Sequence, residues 1–275
     1  MSKIERVVMD WPDEPTIFLT LDFECDYGTA LTENYYGAVE QISDLVGLIE
    51  KHEVPITAFT QTELLDVKPE AVEKLRNSET QVEFHPHSHT HQPRESTSVR
   101  KEIEKSTEKY RDFFGHDPTG YRFPNGNIKS RDYRYLSQLG YEFDASVFPS
   151  WRPNHFDNRD LPTRPHRISN YDLYEVPFTV YSRNIRLPTA LSYIRLVGRP
   201  FSMLLEQRTP SAVVFNIHMH DLVNPKSYSR LPAFYKAIYS RNNRGMELLD
   251  RFLTVTSSTH KFKCIDTLVG ELQTK

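Results

Sequence analysis

Runs of β-forming residues alternate with amphipathic helical runs along almost the whole chain, and no other feature of the sequence limits the fold as much. Thr16 to Glu24 reads as a strand, and the next segment sets Ala38, Ile42, Leu45, Val46 and Ile49 at helical spacing. The pattern recurs with a strand from Val54 to Thr60, a helix opened by Pro69 over Glu70 to Asn77, and a strand from Thr80 to Phe84. Val99, Ile103, Ser106, Tyr110 and Phe113 then line one helical face that stops at Gly115. Tyr121 to Phe123 is a short strand, Ser130 to Leu139 a helix stopped by Gly140, and Tyr141 to Ala145 and Tyr174 to Phe178 are further strands. Ser211 to His218 is the most apolar strand of the later half, and Met246 to Leu253 and then Phe262 to Asp266 close the series. Such alternation predicts a parallel sheet, closed or nearly closed into a barrel. A length of 275 residues suits one such domain over 1–275.

Charge excludes some functions. The net charge of −3, with basic and acidic residues interspersed, presents no basic face for nucleic acid. Met1 to Arg6 carries no apolar leader, and no window holds eighteen uninterrupted apolar residues, so a soluble chain in the cytoplasm is expected. Cys25 and Cys264 are too few and too far apart for a disulfide framework or a zinc ribbon.

The chemistry-bearing residues cluster after strands. Along the first strand Asp22, Glu24 and, if the strand continues, Asp26 share one face. Carboxylates ending an apolar strand suffer desolvation and mutual repulsion unless a cation or donors compensate them, or unless they emerge into solvent. Four of the eleven histidines fall within seven residues: His85, His87, His89 and His91. Imidazoles crowded in this way suit a metal. On one helical turn His87 and His91 have β-carbons roughly 5–6 Å apart, whereas in a straight strand they stand roughly 13 Å apart and share no ion. A strand chelate by His85 with His87, or His87 with His89, is the rival geometry. At the carboxyl ends of barrel strands, these groups would meet at one mouth.

Three later segments have the same placement: Arg122-Phe-Pro-Asn-Gly126, Asp144-Ala-Ser146 and Asn216-Ile-His218. Taken in order with Thr20-Leu-Asp-Phe-Glu24 and His87-Ser-His-Thr-His91, they resemble the five motifs of the NodB homology domain of polysaccharide deacetylases, carbohydrate esterase family 4. The resemblance spans roughly residues 16 to 270. It implies an α/β fold, a distorted (β/α) barrel of about seven strands that is TIM-barrel-like.

The resemblance also implies roles. His87 and His91 would ligate a divalent metal, zinc or else cobalt or nickel, and Glu24 would complete the set, with Asp26 as its substitute. Asp22 would be the base, Arg122 would pair with it and keep it ionised, and His218 would be the general acid, with Asp144 available to orient His218. Phe23 separates Asp22 from Glu24, where relatives usually place the two acids side by side. Three protein ligands leave an open position for water and an amide carbonyl, which suits hydrolysis of an N-acetylated sugar as polymer, oligosaccharide or lipid-linked precursor. A cyclic-amide hydrolase of small nitrogen metabolites is the second reading, and a catalytically silent carbohydrate-binding module the third.

Two segments stand outside the motifs. Ser150 to Asn170, with Pro153, Pro162 and Pro165, lacks periodicity and is either an active-site loop or a surface insertion. Arg183 to Arg208 mixes Ile185, Leu191, Ile194, Leu196 and Val197 with Arg195 and Arg199. It reads as an ordinary barrel helix or as a contact with a membrane surface or a lipid-linked sugar.

Overall fold

The computed structural model describes residues 4–152, 156–182, 184, 186–240 and 244–274. Pro153, Arg183 and Ile185 lie outside them. The centre of the molecule is β1 (Thr16–Phe23), buried along its whole length on both faces. A near-continuous apolar run is what a strand covered on both sides requires. It pairs in parallel with β2 (Ile56–Thr60) on one side and β7 (Ala212–His218) on the other, and β2 pairs with β3 (Val82–Pro86).

The sheet continues through short strands. The N–H of Arg122 donates to the carbonyl of Pro86 at 3.2 Å, joining β3 to β4 (Gly120–Tyr121). Strand β4 pairs with β5 (Phe143–Asp144), and β5 with β6 (Leu173–Glu175), both in parallel. Beyond β6, Thr179 Oγ1 accepts from the N–H of Val214 at 2.8 Å, and Ala190 bridges Asn216, which returns the path to β7. The ring is a distorted (β/α) barrel with seven strands in its wall, as expected.

Helices fill the connections. Helix α1 (Ile42–Lys51), α2 (Pro69–Arg76) and α3 (Val99–Phe114) follow the first three strands, and α4 (Tyr133–Gln138) follows β4. Gly115 and Gly140 end two of these runs with φ of +79° and +82°, a conformation costly for other residues. Helices α5 (Leu191–Val197), α6 (Arg199–Gln207) and α7 (Gly245–Thr256) pack on the outside of β1 and β7.

Alternation along the strands sorts side chains into two layers. Ile17, Leu19, Leu21 and Phe23 face the helices. Phe18 of β1 meets Phe59, Phe143 and Val214 inside the barrel. Below this interior layer sits α8 (Ile265–Gln273), whose Leu268, Val269 and Leu272 plug the amino end of the barrel. The expected strand Phe262 to Asp266 is corrected here: only Lys261–Phe262 is extended, and helical spacing of Ile265, Leu268, Val269 and Leu272 takes over.

The Ser150 to Asn170 stretch is not structureless. Trp151–Arg152 pairs with Phe156–Asp157, and His166–Ile168 lies antiparallel between β6 and an outer strand at Arg6–Val8. Strands of two or three residues are too short to show a period of two in sequence. No helix among the described residues is long and apolar enough to cross a membrane.

Candidate metal centre and active site

At the carboxyl end of the barrel, the ends of β1, β4 and β7 deliver Glu24, Arg122 and His218 to one cleft of about 380 Å³, and the loop after β3 brings His91 into it with His87 just behind. Oε2 of Glu24 lies 3.1 Å from Nε2 of His87 and 2.6 Å from Nε2 of His91. The two imidazoles are not on a helical turn. Left-handed backbone at Ser88 (φ +61°) and His91 (φ +57°) folds the loop back, and Ser88 Oγ accepts from the N–H of His91 at 3.1 Å. The rings end with centroids 5.2 Å apart. Gly28 passes so close that a β-carbon there would stand 3.0 Å from His91 and 3.3 Å from Glu24.

These three residues fit a divalent cation. Their donor atoms all lie within 4.8 Å of one another, in a buried pocket. Nδ1 of His87 is 2.9 Å from the carbonyl of Arg122, to which it donates, leaving the Nε2 lone pair for a ligand bond. Both ring nitrogens of His91 are buried without a hydrogen bond among the described residues, since the close approach to Glu24 lacks hydrogen-bond geometry. Two imidazoles and a carboxylate are the donor set of an open zinc-type centre. Burial pushes the Glu24 carboxyl up, but His91 and His87 outweigh it and hold it well below the usual carboxylate range.

The alternative ligands are elsewhere. Asp26 accepts from the N–H groups of Gly37 and Ala38 and from Ser227 Oγ at 2.6–3.1 Å, which spends its lone pairs on the loop. His89 contacts Thr62 Oγ1 at 3.1 Å. Nδ1 of His85 accepts from the N–H of Gly120 at 3.2 Å, so a neutral ring carries its proton on Nε2, 3.4 Å from Asp266. A protonated nitrogen is no ligand, and the His85 chelate has no basis.

Asp22 stands beside the triad. Its Oδ1 accepts from Arg122 at 2.6 Å, its Oδ2 accepts from Asn216 Nδ2 at 3.1 Å, and His218 Nε2 is 3.4 Å away. The β7–β1 register sets His218 directly opposite Asp22 and Asn216 opposite Thr20. Arg122 is wholly buried, stacked between Phe59 at 3.8 Å and Phe178 at 4.4 Å. Burial pushes Asp22 up, but the Arg122 guanidinium and the nearby imidazoles overcome this and hold it well below the carboxylate range.

The expectation that Asp144 orients His218 is corrected. Asp144 accepts from Ser146 through its N–H at 3.0 Å and its Oγ at 2.8 Å, while Ser146 Oγ in turn accepts from the N–H of Phe123 at 2.7 Å. Burial, then neighbouring Glu175, pushes the Asp144 carboxyl well above its usual range. Asp144 therefore braces the loop carrying Arg122.

Asp221 orients His218. Its Oδ2 accepts from His218 Nδ1 at 2.8 Å and from the His218 N–H at 3.2 Å, and buried Arg195 pairs with its other oxygen. Burial opposes protonation of His218, but Asp221 and Asp22 outweigh it and hold the imidazole well above the usual histidine range. Neutral His220, brought down to about 4 first by burial and then by the His218 charge, stacks on His218 at 4.9 Å. Sequence reasoning assigned no catalytic or positioning role to Asp221, Arg195 or Asn216. The available signal was the three-residue step from His218 to Asp221 opening a short helix, the spacing of a reciprocal cap.

A family model described as polysaccharide deacetylase matches residues 12–143. That match takes in the first two motifs and the third, and stops short of His218. Solved structures agree in fold. A Mycobacterium smegmatis protein assigned to the polysaccharide deacetylases superposes with a TM-score of 0.62 at 15% identity over 98% of this chain and 94% of its own. A peptidoglycan N-acetylglucosamine deacetylase gives 0.55 at 13% identity over 94% and 90%. An allantoinase gives 0.59 at 12% identity over 96% and 94%. No match is found among curated proteins. The match to this family model supports carbohydrate deacetylation, and with it a hydrolase acting on N-acetyl groups.

Proposed function

We propose that the chain is a metal-dependent N-deacetylase of an N-acetylated sugar, with zinc as the expected ion and cobalt or nickel as substitutes. The observation that carries this reading is the position of Asp22, between the Glu24, His87 and His91 triad and the imidazole of His218 on the floor of one cleft. A divalent ion bound by the triad would supply Lewis acidity at an amide carbonyl and a water that ionises near neutral pH.

The remaining work falls to the side chains. Asp22, kept ionised by Arg122, takes the proton of the attacking water. His218, kept charged by Asp221, gives its Nε2 proton to the departing sugar nitrogen. Acetate and a free amine result. Asn216 and Thr20 hold the Arg122 guanidinium at 2.9 and 3.1 Å, so the base cannot swing from its position.

The test is acetate release from N-acetylhexosamine oligomers, methyl glycosides and sugar phosphates, with and without chelator. Release that chelator abolishes and zinc restores is expected. Chelator-resistant release would overturn the mechanism, and release from none of the sugars the function.

A further inference from the structure

The arms of the metal triad come from separate segments, Glu24 from the end of β1 and His87 with His91 from the loop after β3, so the space between them has to be fixed by something else. Left-handed backbone at Ser88 and His91 is strained, and such a loop keeps its course only where its surroundings hold it. Most of its peptide groups are engaged. The N–H of His87 donates to the Thr60 carbonyl at 2.8 Å, and the carbonyls of Ser88 and His89 accept from the N–H groups of Thr62 and Glu63 at 3.0 and 3.1 Å. Glu102 of α3 accepts from the N–H groups of His89 and Thr90 at 3.0 and 2.9 Å, which secures the histidine loop but leaves its distance from Glu24 unset.

Glu63 reaches both segments. Its Oε2 accepts from Gln61 Nε2 at 2.9 Å, from Asn34 Nδ2 at 2.8 Å and from the Tyr36 hydroxyl at 2.5 Å. Gln61 Oε1 in turn accepts at 2.9 Å from the N–H of Cys25, in the peptide that joins Cys25 to Glu24. The same Asn34 nitrogen donates at 2.9 Å to the carbonyl of Thr90, in the peptide that joins Thr90 to His91. A single carboxylate oxygen thus stands one side chain away from the backbone of each ligand. Asn34 and Tyr36 are fastened to the Glu24 side as well, since the N–H of Asp26 donates to the carbonyl of Tyr35 at 2.6 Å. None of Asn34, Tyr36, Gln61 and Glu63 lines the cleft, so contact with substrate does not account for them.

We propose that Glu63 is a positioning residue for the metal centre: through Gln61 and Asn34 it sets the separation of Glu24 from His91, and with it the affinity and coordination geometry of the ion. The inference rests on the metal-dependent reading, and its test reads the ion with no substrate present.

Zinc affinity is measured on the full chain by competition with a chromophoric chelator, and the visible absorbance of the cobalt-loaded chain reads the ligand geometry. Glu63→Ala is expected to weaken zinc binding by about 10–100-fold, the scale for a lost partner that orients a ligand, and to shift the cobalt bands while the thermal midpoint shows the chain folded. Glu63→Gln keeps an acceptor oxygen at the same reach and is expected to restore both readings. Asn34→Ala, at a half-buried loop position, removes only the link to Thr90 and is expected to weaken zinc binding by a smaller factor. Unchanged affinity and bands in Glu63→Ala overturn the inference, and so does a loss that Glu63→Gln fails to restore, which would make Glu63 a distant charge rather than a joint. If Glu63→Ala does not fold, Asn34→Ala decides, and full zinc affinity in that variant overturns the inference. Failure of the unaltered chain to bind zinc or cobalt defeats the metal-dependent reading, and this inference with it.

Discussion

His218 and Asp221 form a closed pair, in which one carboxylate oxygen receives both the ring Nδ1–H at 2.8 Å and the backbone N–H of the same histidine at 3.2 Å. This fixes the tautomer and the ring angle together and aims Nε2 at Asp22. Replacing Asp221 by Asn should lower kcat by about 10²–10⁴-fold, the contribution of a positioned general acid, since the ring would lose the tautomer and angle it works in. A charged His218 is the working form, so activity falls as pH rises through its pKa. Removing Asp221 lowers that pKa, and the alkaline limb of the pH profile should move to lower pH. Asp144→Asn should leave the limb in place, and a shift in that variant would contradict the assignment of Asp221.

Metal retention separates ligands from neighbours. His87→Ala and His91→Ala should lose the bound ion on dialysis, measured by elemental analysis, whereas His89→Ala should keep it. Metal content equal to the unaltered chain in either ligand variant would remove the triad from the account.

Asp22→Asn should keep its metal yet lose turnover by about 10²–10⁴-fold, the contribution of a positioned base. Isothermal metal titration beside an acetate assay reads both. Because the pKa of Asp22 is held so low, it stays ionised below the ordinary carboxylate range, and the acid limb should instead follow loss of the ion as the imidazole ligands protonate.

Arg122→Met should destabilise the fold by about 3–5 kcal/mol, since it leaves the Asp22 carboxylate buried without its partner. Urea denaturation reads the loss. The double variant Arg122→Met with Asp22→Leu should recover much of it, because no charge is then stranded.

Leu268→Ala in α8 should cost about 2–5 kcal/mol with full metal retention. The side chain is wholly buried among the interior rings, far from the mouth.

How far the sequence led differs from element to element. Long strands and helices such as Thr16–Phe23 and Val99–Phe114 carry enough periods to be read, and the second end was marked by Gly115. Strands of two residues at Gly120–Tyr121 and Phe143–Asp144 were found mainly by the breakers around them. Glu24, Asp22, His87, His91, Arg122 and His218 do meet, because each follows a strand and strand ends converge in a barrel. The choice of Glu24 over Asp26 was not legible. It depends on Asp26 being captured by the N–H groups of Gly37 and Ala38, a loop contact with no periodic signature. Arg195 was likewise read as part of a basic surface, when a buried acid from β7's end draws it inward.

Packing inside the barrel has a consequence for turnover. Phe18, Phe59 and Phe143 fill its middle, and α8 corks the opposite end, so among the described residues the barrel is closed along its axis. Nothing can pass through the barrel to its far end, so both halves of the cleaved molecule must retreat on the side by which the whole one entered, the bulkier one blocking the next arrival until it has gone.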